Sequence, residues 1–107
     1  MDKKPHFTAL VTFLAFESGK RTTPVSSGFR AHIKFPFDNE RFIGSQHFLD
    51  EELIFPGDSA MVAITLVDNE NAVEKLYKGL DFEMYEGDDL IGQGTITQLG
   101  GIADDNY

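Results

Sequence analysis

Apolar and polar residues alternate at period two through much of this chain, most plainly around its middle. From Met61 to Leu66 the side chains of Val62, Ile64 and Leu66 share one face of an extended segment, and those of Met61, Ala63 and Thr65 share the other. Neither face is strongly polar, which predicts a covered central strand with a neighbour on each side. Just before it, Pro56-Gly57-Asp58 reads as a turn: proline presets φ, glycine tolerates positive φ, and aspartate can hydrogen-bond nearby backbone.

The same period predicts the neighbours. His6 to Glu17 reads as a long first strand, with Phe7, Ala9, Val11, Phe13 and Ala15 on one face; β-branched and aromatic residues favour a strand there over a helix. Ser18 to Gly28 breaks the pattern as a loop carrying Lys20 and Arg21, the most basic stretch of the chain. Phe29 to Phe37 predicts a half-buried strand, with Ala31, Ile33, Phe35 and Phe37 inward and Arg30, His32 and Lys34 outward. Pro36 lacks a ladder donor, so this strand should end at an edge or leave the sheet. Asp38-Asn39-Glu40 is a turn signal, Arg41 to Gly44 a short strand, and Asp50-Glu51-Glu52 acidic surface. Residues 72–79 suggest one or two helical turns, with Asn71 as N-cap and Gly79 as the stop. Leu80 to Tyr85 alternates again, Glu86-Gly87-Asp88-Asp89 predicts a hairpin turn, and Leu90 to Leu99 the last strand. Gly92 and Gly94 fall on the same face as Ile96, which predicts a close backbone approach or a bend. About six strands with at most one short helix predict an all-β fold, a six-stranded antiparallel closed β-barrel, because closure hides the edges.

Composition narrows the picture. A chain of 107 residues suits one domain, with a barrel core of about residues 6–99 and flexible ends at 1–5 and 100–107. There are ten phenylalanines and no cysteine, which removes disulfides and thiolate chemistry and fits a reducing compartment. No apolar run approaches a membrane span, so a soluble, unexported, cytoplasmic protein with no membrane role is expected. The formal charge of −9 repels phosphate backbones unless the few basic residues share a face.

Little in the chain points to catalysis or cofactors. Gly92-Gln93-Gly94 lacks the third glycine of a dinucleotide fingerprint, since Thr97 stands in its place, and no βαβ unit surrounds it. His6, His32 and His47 lack paired metal-ligand spacing and read as solvent-facing or loop residues. The acidic pairs do not fit a calcium-loop pattern, and no nucleophile motif such as Gly-x-Ser-x-Gly occurs. The expectation is no enzyme, no cofactor and no metal.

Several short motifs in order resemble the C-terminal β-barrel, the third domain, of bacterial translation elongation factor Tu. They are Phe7-Thr8-Ala9, Glu17 to Pro24, Gly28-Phe29-Arg30, Pro56-Gly57-Asp58 with the strand after it, Gly79-Leu80-Asp81-Phe82, Glu86-Gly87 and Gly92-Gln93-Gly94. The resemblance covers roughly residues 7 to 99. It implies a free-standing version of that barrel. In the factor this domain holds the other domains, touches the T stem of aminoacyl-tRNA and contacts the exchange factor. The nucleotide-binding Gly-x-x-x-x-Gly-Lys-Ser/Thr cradle is absent, so no GTP binding is expected.

Carried over by position, the tRNA role meets departures. Glu86 and Gly87 keep the family's pair, but Asp88 and Asp89 follow where glycine and arginine are usual. His32 stands in place of a tRNA-contacting glutamine, and Arg41 lies near a contacting threonine. The loop before Gly79 is longer and lacks the usual His-Pro. The candidate surface for a partner or RNA is therefore Lys20, Arg21, Thr23, Arg30, His32, Lys34, Arg41, Glu86 and Gly87. A protein partner, with a basic surface favoured, is the first expectation; one version is an imitator occupying something that normally binds the factor. An RNA-binding accessory using Lys20, Arg21, Arg30, Lys34 and Arg41 is the second, disfavoured by net charge and by Asp88 and Asp89. A small-ligand barrel is the third.

Overall fold

The structure is a computed structural model that describes residues 5–15, 24–37, 39–49, 51–67 and 74–100. Among these residues eight strands follow in chain order: β1 (Phe7–Phe13), β2 (Val25–Ser26), β3 (Arg30–Lys34), β4 (Arg41–Phe48), β5 (Leu53–Ile54), β6 (Ser59–Leu66), β7 (Asp81–Glu86) and β8 (Asp89–Leu99). Six of them close an antiparallel barrel in the order β1-β6-β4-β3-β7-β8, and β2 and β5 form a separate two-stranded ribbon. The expected fold class is what the chain adopts.

The central strand has both neighbours its pattern demands. β6 pairs with β1 from Phe7↔Ile64 to Thr12↔Ser59 and with β4 from Gly44↔Leu66 to Phe48↔Val62. Val62, Ile64 and Leu66 fill the lumen, and Ala63 and Thr65 on the other face are buried too. The Pro56-Gly57-Asp58 turn ties the start of β6 to the end of β1. The Asp58 N–H donates to the Phe55 carbonyl, the Gly57 N–H to the Phe13 carbonyl, and the Phe13 N–H to the Asp58 carbonyl, each at 3.0 Å.

Aromatic rings close one end of the lumen. Phe7 packs edge-on against Phe35 and Phe82, with ring centroids 6.2 and 5.7 Å away, and Phe35 meets Phe82 at 5.9 Å and Phe42 at 5.8 Å. The glycines of β8 behave as their spacing suggests. A Cβ at Gly92 would lie 2.6 Å from the Thr12 carbonyl oxygen, and one at Gly94 would lie 2.5 Å from Phe82 Cζ. The wall at β8 has no room for a methyl group.

The structure departs from the expected elements in several places. Phe37 does not face inward: β3 ends at Lys34, Pro36 and Phe37 form a turn, and the Phe37 ring stacks on Phe35 from outside at 5.2 Å. The short strand expected at Arg41 runs on to Phe48, because its inward set is Phe42, Gly44, Gln46 and Phe48, a mixed series that alternation of apolar residues does not reveal. The β2–β5 ribbon was not expected at all. Of the one or two helical turns expected at 72–79, residues 71–73, with the expected cap Asn71, lie outside the described residues; among the described ones Glu74 and Lys75 form a single 3-10 turn and residues 76–79 are not helical. Gly79 does have positive φ, but as part of the turn into β7. The first strand ends at Phe13; Phe16 and Glu17 lie outside the described residues, as does the expected flexible tail beyond Gly100.

Candidate functional site

Alternation along β3 decides the site. Ala31 and Ile33 enter the lumen, which sends Arg30, His32 and Lys34 to the outer face. Their positions among neighbours follow from register: Lys34 lies opposite Arg41 on β4 and Glu83 on β7, and His32 lies opposite Ile43 and Tyr85. Arg41 and Tyr85 sit on either side of β3, so the arginine reaches across that strand. Its guanidinium rests over the Tyr85 ring, 4.0 Å from the centroid, and Nη1 donates to the Gly87 carbonyl at 2.8 Å.

That carbonyl is presented by the hairpin between β7 and β8, whose two turn residues are Gly87 and Asp88. Gly87 has φ of 63°, a left-handed conformation that glycine adopts without strain. Tyr85 is held in turn, its hydroxyl donating to Glu83 Oε1 at 2.8 Å. This hydrogen bond, reinforced by partial desolvation and the carboxylate's charge, holds the phenol above its usual range, against the opposing pull of Arg41.

One outer face, spread over β4, β3 and β7, therefore gathers Arg30, His32, Lys34 and Arg41, with the Gly87 carbonyl at its edge; Glu86, two positions beyond Met84, falls by alternation on the lumen side, exposed at the end of β7. Lys20, Arg21 and Thr23 lie outside the described residues. The face is mixed in charge: Glu83 lies opposite Lys34, and Asp88 and Asp89 follow Gly87 in the hairpin that Arg41 bonds. Tyr85, which organises Arg41, was not singled out from the sequence. The signal was its place opposite His32, which only register supplies.

The histidines separate in role. His32 and His47 are exposed on the outer wall, whereas His6 is half-buried at the aromatic end of the barrel. There, in the bend before β1, His6 Nδ1 accepts the Leu66 N–H at 2.9 Å, so of the two settings expected for the histidines, solvent-facing or loop, it takes the loop one and acts as a structural strap. Among the described residues no group of three metal-ligating side chains comes together.

Next to the basic face lies a groove of about 560 Å³ that sequence reasoning missed. Two cross-strand rows line it: Leu10, Thr95 and Asp81 form the first, and Thr12, Gln93, Glu83 and Lys34 the second. Gly94 lies between the rows, and Pro36 stands at one end. Comparison with models of known protein families finds no match for this chain.

Proposed function

We propose that this chain is a non-catalytic binding module akin to the C-terminal barrel of elongation factor Tu, and that it docks a protein partner through the outer face of β4, β3 and β7. The observation that carries this reading is Arg41. Clamped between the Tyr85 ring and the Gly87 carbonyl, its guanidinium is ordered before any partner arrives, so docking costs less side-chain entropy. Arginine and tyrosine are also the residues that most often dominate binding energy at protein interfaces.

The net charge of −9 steers the chain toward a partner that is basic overall, while the local mixture of Arg30, Lys34 and Arg41 with Glu83 sets register. A partner that normally engages the elongation factor, such as a regulator or an exchange factor, has the surface such a barrel would imitate.

Convergence of Arg30, Lys34 and Arg41 on one face also supports a second reading, an RNA-binding accessory. Against it, Asp88 and Asp89 share the hairpin that Arg41 holds, and carboxylates there repel phosphate. A small-ligand barrel is the weakest reading, because Phe7, Ile33, Phe35, Phe42, Ile64 and Met84 fill the lumen.

The test is capture by the tagged chain from its host's extract, with and without RNase, in parallel with Arg41→Ala. A protein that survives RNase, is weakened by salt and is lost with R41A supports the module. Recovery of tRNA alone, abolished by RNase, replaces it with the second reading.

A further inference from the structure

The outer wall of a barrel is ordinarily convex, so a groove on it needs a cause. Gly92 and Gly94 supply one. With no Cβ, the β8 backbone at Gly94 can lie close against Phe82 and Val11, where a Cβ would stand 2.5 Å from Phe82 Cζ and 2.9 Å from Val11 Cγ1. Side chains of β1 and β7 line the groove on either side of β8. On the β7 side, Asp81 and Glu83 share one face two residues apart, which spaces them about 7 Å along the strand. On the β1 side stand Thr12 and Leu10, the latter 46% exposed.

Both carboxylates are already oriented. Thr95 Oγ1 donates to Asp81 Oδ1 at 2.6 Å, and the Tyr85 hydroxyl donates to Glu83 Oε1 at 2.8 Å. One oxygen of each is thereby turned to a neighbour, and among the described residues Asp81 Oδ2 and Glu83 Oε2 are left for a ligand.

We propose that this groove receives an extended segment of the partner protein with lysine or arginine at two alternate positions and an apolar residue between them. The proposal rests on reading the chain as a protein-binding module. An extended segment repeats its side-chain direction every two residues, a spacing of about 7 Å that matches the step from Asp81 to Glu83. Its two cations face the β7 side, and the intervening residue, pointing the opposite way, covers Leu10. Gln93 and Thr95 on the floor offer polar groups to its backbone. The volume of about 560 Å³ falls in the range of small binding sites. Lys34, at the end of the row beyond Glu83, repels the nearer cation, so the pair with Asp81 is the stronger.

The test titrates the isotope-labelled full chain at low salt with capped peptides Thr-Lys-Leu-Lys-Thr, Thr-Gln-Leu-Gln-Thr and Thr-Glu-Leu-Glu-Thr, following amide shifts. Saturable shifts confined to residues 10–12, 81–83 and 93–95 are expected with the lysine peptide. Binding should be at least tenfold weaker with glutamine and absent with glutamate. Asp81→Asn with Glu83→Gln should weaken the lysine peptide at least tenfold. Gln93→Lys, which keeps both carboxylates and alters only an exposed side chain, should block it as well; unfolding curves confirm that both variants fold. Equal binding of lysine and glutamine peptides, shifts elsewhere, or indifference to these substitutions overturns the proposal, as does RNA shifting the same residues. Failures of the two readings separate cleanly. A captured partner lost with R41A but unaffected by D81N/E83Q sinks the groove alone, whereas lysine-peptide binding with no R41A effect on capture sinks the proposed face alone.

Discussion

The walls of this barrel at β8 and at β4 each place glycine against the lumen, but for different reasons. At β8, a Cβ on Gly92 would meet the Thr12 carbonyl oxygen at 2.6 Å, and that oxygen belongs to a paired backbone that cannot step aside. At β4, a Cβ on Gly44 would meet Ile33 Cδ1, the tip of a side chain able to change rotamer. Closeness to paired backbone cannot be relieved without moving a strand, whereas closeness to the tip of one aliphatic side chain can be relieved by that side chain. Gly92→Ala should therefore cost about 3 kcal/mol, at the upper end of overpacking, and Gly44→Ala about 1 kcal/mol. Urea unfolding of both variants measures the difference; equal costs would erase the distinction between the walls.

The β4 wall has a further slackness. Gln46 is fully buried, its Nε2 donates to the Met84 thioether at 3.2 Å, and among the described residues its Oε1 has no partner. A buried acceptor without a donor costs roughly 1–3 kcal/mol, part of which a well-fitting apolar side chain recovers. Gln46→Met, nearly equal in volume, should raise stability by about 1.5 kcal/mol in the same unfolding assay. Loss of stability would instead show that Oε1 holds an ordered water inside the barrel.

On the outer side of these strands, Arg41→Ala removes the contact with Tyr85 and the bond to Gly87, and should cost about 1 kcal/mol of stability. Arg41→Lys should restore little of it, because an ammonium cannot both lie flat on the ring and reach the carbonyl. Thermal melts of the two variants decide; full rescue by lysine would mean that charge alone matters at this position.

Much of the architecture was legible because it is written at period two. The central strand, the outward set Arg30, His32 and Lys34, the hairpin at Glu86 to Asp89 and the close approach at Gly92 and Gly94 all follow from local pattern. What was not legible depends on register. Arg41 and Tyr85 are 44 positions apart, and nothing local says that β3 will lie between them. The second half of β4 was hidden because its lumen positions include Gly44 and Gln46, which give alternation no apolar signal. Phe37 misled for the opposite reason: it continues an apolar alternation that Pro36 has already ended. The groove was half visible, since the glycines of β8 stood out but the carboxylates beside them did not.

Tyr85 supplies the smallest effect, and one that separates the two outer regions by pH. Its phenol is held above the ordinary value of 10.0, first by the hydrogen bond it donates to Glu83. In the unfolded chain that bond is gone, so the folded state binds the proton more tightly. The stabilisation is fully present below pH 10.0 and is lost as pH rises through the folded value, where a phenolate beside Glu83 would be repelled. Tyr85→Phe removes this proton linkage and should flatten the decline in melting temperature above pH 10.0 relative to the native chain. It also releases Glu83 while leaving Asp81 bonded to Thr95. Peptide binding in the groove should then weaken only slightly in Y85F, through the Glu83 side alone. An unchanged alkaline decline in the variant would mean that other groups set it and that the Tyr85–Glu83 bond does not persist in solution.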